Sequence, residues 1–363
     1  MTPTDPLFAV QRRERVLAEL RRQGSVRVRE LAVLLHVSEL TIRRDLAALA
    51  NQGLLTKVHG GATLPTRLAA APPRPRAAPP RFTIGMVVPS LDFYWPQVIA
   101  GARAAAAALG VSIQLRGSSY DAAEDRRQIV RLVEAGQVQG LLLAPSLSGD
   151  DGMADWIGDL SIPVVLVERM PGSFTQASHA FEWVRSDHEL GVELAVRHLH
   201  HHGHRRIGLV LTDASPTSAQ LERGWGPACA GLGIDPKLVF HGSVRLDAPR
   251  HRELIAAILR ACGRAGATAL VVHSDPDAMS IAQFCAERGV TVPGDLALVS
   301  YDDEVAHLAQ PELTAVRPPK GHLGRVAVEL IVSRLLEGPR RPSQRISVAP
   351  DLVIRDSSVP RPG

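Results

Sequence analysis

The stretch SELTIRRDLAALANQGLLTKVHGGA, residues 38–62, decides how the front of this chain folds. Ser38 is placed to cap a helix over Glu39 to Gln52, with Gly53 as its stop. Ile42, Leu46 and Leu49 fall at i, i+4 and i+7, a single buried stripe. At ~100° per residue, Arg43 and Arg44 lie well round from Ile42 and point away from that core. Leu54 to Val58, then His59-Gly60-Gly61-Ala62, reads as a short strand running into a Gly-Gly turn, the makings of a wing. Upstream, the pattern predicts a helix over about Pro6 to Gln23, stopped by Gly24, with Val10, Val16, Leu17 and Leu20 near one face. A short helix follows from Val28 to His36, with Leu31, Leu34 and Leu35 inward. Two short helices joined by a tight turn, the second capped and bearing two outward arginines, follow helix-turn-helix logic. An arginine fork fits guanine O6 and N7 or phosphate oxygens.

Charge supports this reading. Residues 1–81 hold 14 of the 41 Lys/Arg but only 6 of the 37 Asp/Glu, so a basic head precedes a mildly acidic remainder. Such an asymmetry places the polyanion partner at the head. The arginine excess as such reflects coding bias, since only Lys57, Lys237 and Lys320 are lysines. Between head and body, residues 64–81 run LPTRLAAAPPRPRAAPPR. Its six prolines remove amide donors and disfavour helix, so it reads as a semi-extended spacer.

Beyond the spacer, apolar β-branched runs alternate with helical stretches. Thr83 to Val88, Ser112 to Leu115, Gly140 to Leu143, Val164 to Val167, Ile207 to Leu211, Ala269 to His273 and Leu296 to Tyr301 read as strands buried on both faces. The alternation predicts an α/β body of two doubly wound parallel-sheet lobes, with a ligand in the cleft at the carboxyl ends of the strands. The expected division is a winged helix-turn-helix over residues 1–63, a linker over 64–81 and a two-lobed body over 82–358. Lobe 1 takes about 82–185 and 310–335, and lobe 2 about 186–309 and 336–358.

Several classes fall away. There is no phosphate-binding GxxxxGK[ST] loop and no GxSxG elbow, and Gly231-Leu232-Gly233 lacks the third glycine of a dinucleotide fingerprint. Catalytic residues, cofactor and metal are all expected to be none. The run His198, His200, His201, His202 and His204 reads as surface histidines at a helix end, with Gly203 as the stop. Cys229, Cys262 and Cys285, odd in number and scattered, suit reduced thiols in a cytoplasm. Gln97 to Leu115 is broken by Arg103 and rich in alanine, so no membrane span is expected.

Two resemblances extend this reading. Residues 12–64 resemble the winged helix-turn-helix of the DeoR family of bacterial regulators, through SxxTIRRDLxxL and a wing ending HGGA. The resemblance implies that Ser38, Thr41, Arg43 and Arg44 sit at DNA, with Lys57 and His59 on the wing near the backbone. The body is similar to the effector domain of LacI/GalR-type regulators, itself related to periplasmic sugar-binding proteins. That likeness rests on HLHHHGHRRIGLVL, HSDPDAMSIAQFCAERGVTVPGDLALVSYDD, PELTAVRPPKGHLGRVAVELI and PDLVIRDSS. It implies a small polar ligand, most often a sugar.

Carried across, Phe93, Tyr94 and Trp95 line the cleft mouth, where an aromatic face stacks on a sugar ring. Glu168 and Arg169 follow a strand at a ligand position. Arg223 matches an arginine that grips ligand oxygens, and Asp302 a strand-end aspartate that accepts from hydroxyls. Ser274-Asp275 replaces the usual Asn-Asp pair. The whole implies a cytoplasmic transcriptional regulator, a repressor pairing as a homodimer or dimer of dimers on an operator. A cytosolic sugar-binding or sugar-processing protein with a vestigial head is the alternative. That alternative needs a catalytic acid/base pair, and the sequence offers none.

Overall fold

The computed structural model describes residues 9–35, 37–51, 55–58, 60–63, 80–147, 152–171, 181–213, 215–245 and 250–359. Contacts divide the chain into two compact units, 1–79 and 80–363. Residues 64–79 of the proline-rich segment lie outside the described residues.

In the first unit, helices α1 (Ala9–Gln23), α2 (Val28–Leu34) and α3 (Glu39–Asn51) pack with strands β1 (Ser25–Arg27), β2 (Thr56–Val58) and β3 (Gly61–Thr63). The strands form an antiparallel sheet in the order β1-β3-β2. Ile42, Leu46 and Leu49 of α3 close on Val16 and Leu20 of α1 and Leu31 of α2 in one core. Strand β1 has no sequence signal because three residues are too few to show alternation. Leu31 and Leu35 are buried as expected, but Leu34, also expected inward, is exposed at the end of α2. The two wing glycines have separate causes. Gly60 sits at φ +78°, a conformation that penalises a side chain. At Gly61 a Cβ would lie 2.1 Å from the Val26 carbonyl oxygen, so β3 approaches β1 only because this residue has no side chain.

The second unit holds two six-stranded sheets. In lobe 1, β4 (Phe82–Val88), β5 (Val111–Gly117), β6 (Gly140–Leu143), β7 (Val164–Val167), β8 (Glu182–Ser186) and β14 (Arg345–Val348) run parallel in the order β14-β8-β7-β6-β4-β5. In lobe 2 the strands are β9 (Ile207–Leu211), β10 (Val239–His241), β11 (Ala269–Val272), β12 (Ala297–Tyr301), β13 (Thr314–Arg317) and β15 (Asp351–Val353). Their order is β10-β9-β11-β12-β13-β15, and only β15 is antiparallel to its neighbour. The central strands β6, β9, β11 and β12 are buried along their whole length, which is why they read as unbroken apolar runs. Strands β4 and β9 each have their successor on one side and the next strand on the other. Both sheets therefore open a crevice at the carboxyl ends of their strands.

Helices α4 (Trp95–Ala108), α5 (Ala122–Glu134), α6 (Met153–Gly158) and α11 (Lys320–Glu337) cover lobe 1. Helices α7 (His188–His201), α8 (Pro216–Ala230), α9 (His251–Ala265) and α10 (Asp275–Glu287) cover lobe 2. The chain passes between lobes at Asp187, at Pro318-Pro319 and at Ala349-Pro350. The Asp187 amide donates to the Val348 carbonyl at 2.8 Å, tying the first passage to the third. This corrects the expected lobe boundaries. Residues 314–317 pair with β12 in lobe 2, and residues 345–348 pair with β8 in lobe 1. Strands of four residues carry no compositional mark of the sheet they join.

Helices α4 and α11 touch backbone to backbone. A Cβ on Gly324 would lie 1.9 Å from the Val98 carbonyl oxygen, and one on Gly101 1.9 Å from that of Gly321. Such contacts have no flexible atom to yield. Gly324→Ala is expected to cost the body about 2 kcal/mol or more in denaturant unfolding. Gly226→Ala, at a helical position with open space around it, is expected to be neutral or stabilising by up to about 1 kcal/mol.

Candidate functional site

In the head, Ser38 caps α3. Its hydroxyl accepts from the Thr41 amide at 3.2 Å and meets the Thr41 hydroxyl at 2.9 Å. Arg43 and Arg44 are exposed on the outer face of α3. Arg43 lies 3.5 Å from Glu39 in a half-exposed pair of small energetic weight. Asp45 is the other nearby carboxylate, and it is committed elsewhere. Buried to 2 %, it accepts from the Nε atoms of Arg12 at 2.6 Å and Arg13 at 3.0 Å, which bolts α3 to α1. Arg44 has no ion pair among the described residues. Lys57 is exposed on β2, and His59 lies outside the described residues. The outward cations therefore stand on a helix whose orientation is fixed from behind.

In the body, a cavity of about 460 Å³ opens between the lobes. Phe93, Tyr94, Tyr120, His273, Ser274, Asp275, Asp302 and Glu304 are among its lining residues. It shares Tyr94, Tyr120, Ser215, His273 and Asp302 with a narrower recess of about 70 Å³, which adds Trp95, Glu168, Arg169, Pro216 and Thr217. Side chains reach this space from the ends of β7, β9, β11 and β12, as crevice geometry requires. Of the six non-glycine residues with positive φ among those described, Phe93, Tyr120, Glu168, Asp302 and Asp303 line or adjoin the cleft. Backbone strain of this kind collects where side-chain placement matters more than local stability.

A hydrogen-bonded chain crosses the cleft floor. Glu168, 4 % exposed, accepts from the Tyr94 hydroxyl, from the Ser186 hydroxyl at 2.7 Å and from the Ser186 amide at 3.1 Å. His188 Nε2 lies 3.3 Å from its second oxygen, and His188 Nδ1 lies 3.0 Å from the Tyr301 hydroxyl in lobe 2. Burial alone would raise the Glu168 carboxyl. The bond to His188 and its charge, with the bonds from Tyr94 and Ser186, outweigh that and hold it at about 2. His273 packs edge-on to Tyr301 and points Nε2 at Asp302 from 3.6 Å. Burial and then the His188 charge push the His273 imidazole down to about 3. Burial and then Asp275 push the Asp302 carboxyl up to about 7, against Lys320 and His188. Lys320, 2 % exposed, crosses between lobes to pair with Glu304 at 2.5 Å and to donate to the Asp302 carbonyl.

The expected ligand residues do not share one role. Asp275 is spent on structure. Its carboxylate takes the Ser300 hydroxyl at 2.7 Å and the amides of Glu304 and Val305. Ser274 begins α10 in a capping box with Asp277. Trp95 is a core residue with one edge on the recess, its Nε1 3.4 Å from the Tyr120 hydroxyl. Phe93 is the member of its aromatic trio with a free face, 56 % exposed at the rim.

Arg223 is a correction. It is half-exposed, pairs with Glu189 of α7 at 3.5 Å and is absent from the cleft lining. The cause is helical phase. Thr217 faces the recess and Gly224 lies against Glu189, so Arg223 emerges beside α7. Sequence reading also missed His188, Tyr301, Tyr120, His273 and Lys320. A lysine bordered by two prolines where the chain passes between lobes was the available signal for the last.

Ser218, His273 and Asp302 form a line that superficially suits nucleophilic catalysis. The Ser218 hydroxyl, however, donates to the Thr212 carbonyl at 2.7 Å rather than toward His273. The histidine run, expected at the surface, is partly buried and packs on itself: His198 is 8 % exposed with its ring 4.7 Å from that of His202, and His202 stands 5.5 Å from His201. His198 meets the Ser358 hydroxyl at 2.7 Å and His204 meets that of Thr268 at 2.8 Å. Among the described residues no group of three or more His, Cys, Asp or Glu is placed to hold a metal ion. No helix among them is long and apolar enough to cross a membrane.

Comparison with known proteins places both parts. Residues 12–67 match the DeoR-like helix-turn-helix domain, and residues 196–358 match the periplasmic binding protein-like domain. The chain is 25% identical over 338 residues to the arabinose metabolism transcriptional repressor of Geobacillus stearothermophilus, covering 91% of this chain and 90% of that one. It is 26% identical over 283 residues to the ribose operon repressor of Escherichia coli K12, covering 76% of this chain and 82% of that one. Its fold is shared with a transcriptional regulator CelR–cellobiose complex, at a TM-score of 0.66, 23% identity and coverage of 88% and 91%. Fold and domains together define a DNA-binding transcriptional regulator with a small-molecule-binding body. Its particular make-up is a DeoR-like head on a periplasmic-binding-protein-like body of the kind carried by LacI-type repressors.

The cleft carboxyls give a test by pH. Asp302 is raised from its ordinary 3.8 to about 7, so its burial favours folding fully below pH 3.8 and the benefit is lost as pH rises through about 7. Asp302→Asn removes that loss. In denaturant unfolding the variant is expected to gain on the wild type by more than about 1 kcal/mol between pH 5 and pH 8. A gap that stays constant contradicts the assigned burial of this charge.

Proposed function

We propose that this protein is a repressor that binds an operator through α3 and leaves it, or holds it, according to whether a sugar or sugar derivative fills the inter-lobe cleft. The observation that carries the reading is the placement of Arg43 and Arg44, outward and free of strong partners on a helix anchored by Asp45. Their forks suit base edges or phosphates, and the capped N-terminus of α3 adds amides aimed at phosphate. Ser38, Thr41, Lys57 and His59 complete the proposed DNA-facing set.

In the body, Phe93, Tyr94, Trp95, Glu168, Arg169, Ser274, Asp275 and Asp302 form the proposed ligand site. Phe93 supplies the stacking face, and Asp302 accepts from hydroxyls. A cavity of about 460 Å³ suits a ring-sized polar ligand. The similarity to an arabinose metabolism repressor and to a ribose operon repressor supports a sugar-like effector. The protein acts in the cytoplasm, as a homodimer or dimer of dimers whose paired heads meet two half-sites. The ligand changes operator affinity only through its different affinity for two lobe arrangements.

Arg43→Ala/Arg44→Ala is expected to weaken binding to the protein's preferred genomic fragment by about 100-fold or more, with thermal unfolding of the body unchanged. Gel-shift titration against random competitor checks it. Undiminished preference in the double variant removes α3 from the interface.

A further inference from the structure

The narrow recess holds a buried cation that has no ion-pair partner among the described residues. Arg169 is 7 % exposed and lines the recess. Its Nε donates to the Pro145 carbonyl and its Nη1 to the Glu168 carbonyl, both at 2.9 Å. Both acceptors are neutral backbone oxygens. No carboxylate lies within ion-pair distance of the guanidinium among the described residues, and its Nη2 has no partner there. The face of the group is held by Trp95 and Tyr120, whose ring centroids stand 5.7 and 6.0 Å from it.

Glu168 acts on the guanidinium through space but does not pair with it. Its carboxylate oxygens are turned to Tyr94, Ser186 and His188. Burial depresses the pKa of the guanidinium, and the Tyr120, Glu168 and Asp125 groups offset that only in part and without an ion pair to it.

The opposite wall of the recess comes from lobe 2. Ser215, Pro216 and Thr217 line it, and they are the N-cap and first turn of α8, a 15-residue helix. The positive end of that helix therefore borders the same small space. Pro216 has no amide hydrogen and the Thr217 and Ser218 amides are taken by the Ser215 hydroxyl and carbonyl, so α8 offers its dipole and the Thr217 hydroxyl. The Thr217 hydroxyl has no partner among the described residues. A cation from lobe 1 and a helix N-terminus from lobe 2 meet across a volume of about 70 Å³, room for one small group rather than a ring. The wider chamber beside it holds Asp302, suited to hydroxyls.

We propose that the effector is a hydroxylated organic anion whose carboxylate or phosphate occupies this recess between Arg169 and the start of α8. This deepens the reading of the cleft as the effector site and rests on it. The acid group then does more than bind. It bridges the two lobes, with Arg169 on one side and α8 on the other, so occupancy favours the closed arrangement. A neutral sugar fills the chamber and leaves the guanidinium unpaired.

The test uses the full chain in calorimetric titration and thermal unfolding. The probes are D-glucuronate, D-galacturonate, D-gluconate, D-glucose 6-phosphate and D-ribose 5-phosphate, beside their neutral parents, with acetate and inorganic phosphate alone. At least one acid-bearing probe is expected to bind about 10- to 100-fold more tightly than its neutral parent, the worth of a charge-assisted hydrogen bond. Preference for the sugar acids assigns a carboxylate head, and preference for the phosphate esters a phosphate head. Arg169→Gln is expected to abolish the preference. Thr217→Glu, at a half-exposed position, is expected to do the same by repulsion should the first variant not fold.

Neutral parents binding as well as the acids, or no anion of either kind raising the unfolding temperature, overturns the proposal. Anion preference retained without any preference for a DNA fragment overturns the regulator reading instead and leaves the anion site standing.

Discussion

The body depends on one buried carboxylate. Glu168 sits where β7 ends, in a left-handed backbone conformation, with hydrogen bonds from Tyr94, Ser186 and His188. A charge this deep is tolerated only when fully satisfied, and each of its donors thereby acquires a fixed position. Tyr94 begins the loop-to-helix turn of lobe 1. Ser186 and His188 flank the first passage between lobes. Through His188 the chain continues to Tyr301 and so to the floor of lobe 2. The cleft is thereby organised around its hinge rather than around its mouth.

Lobe closure is then a contest among few groups. Lys320 holds Glu304 and the Asp302 carbonyl of lobe 2 from the start of α11, and α11 lies backbone to backbone against α4. Gln97 of α4 adds a long contact to Glu304 at 3.4 Å. A ligand that engages Asp302 acts on a residue already held from both lobes, and one that engages Arg169 acts on a lobe 1 side chain that faces lobe 2 across the recess. A few kcal/mol of differential contact suffices to move such an equilibrium. Burial of Lys320 with Glu304 is not itself a large stabilising contribution, since desolvation offsets most of the attraction. Its effect is to give the lobes a defined relation that a ligand can alter.

Much of this was legible in the sequence, and the reasons differ by element. The α3 stripe and its outward arginines follow from 3.6-residue periodicity, and a paired glycine marks the wing. Central strands such as β9 and β11 announce themselves because burial on both faces demands continuous apolar residues. Glu168, Arg169 and Asp302 came from the family resemblance, and they line the recess because each follows a strand whose carboxyl end forms the crevice. The shortest strands were not legible. Residues 314–317 and 345–348 join sheets opposite to those expected, a matter of long-range pairing that four residues cannot encode. Arg223 was misplaced because residue type alone does not fix helical phase: Gly224 packs on α7 and carries Arg223 out of the cleft. His188 and Tyr301 were missed because a buried His–Tyr contact between residues 113 apart in sequence has no local signature.

On the proposed function, a metabolite in the cleft and a duplex at α3 are linked through one equilibrium of the body. Linkage makes that claim measurable without knowing the route between the parts. The affinity for the preferred DNA fragment is measured with and without saturating ligand, and the affinity for the ligand with and without saturating DNA. The account predicts that both change by the same factor, in the range of about 5- to 150-fold. A ligand that binds the free and DNA-bound protein equally well contradicts it.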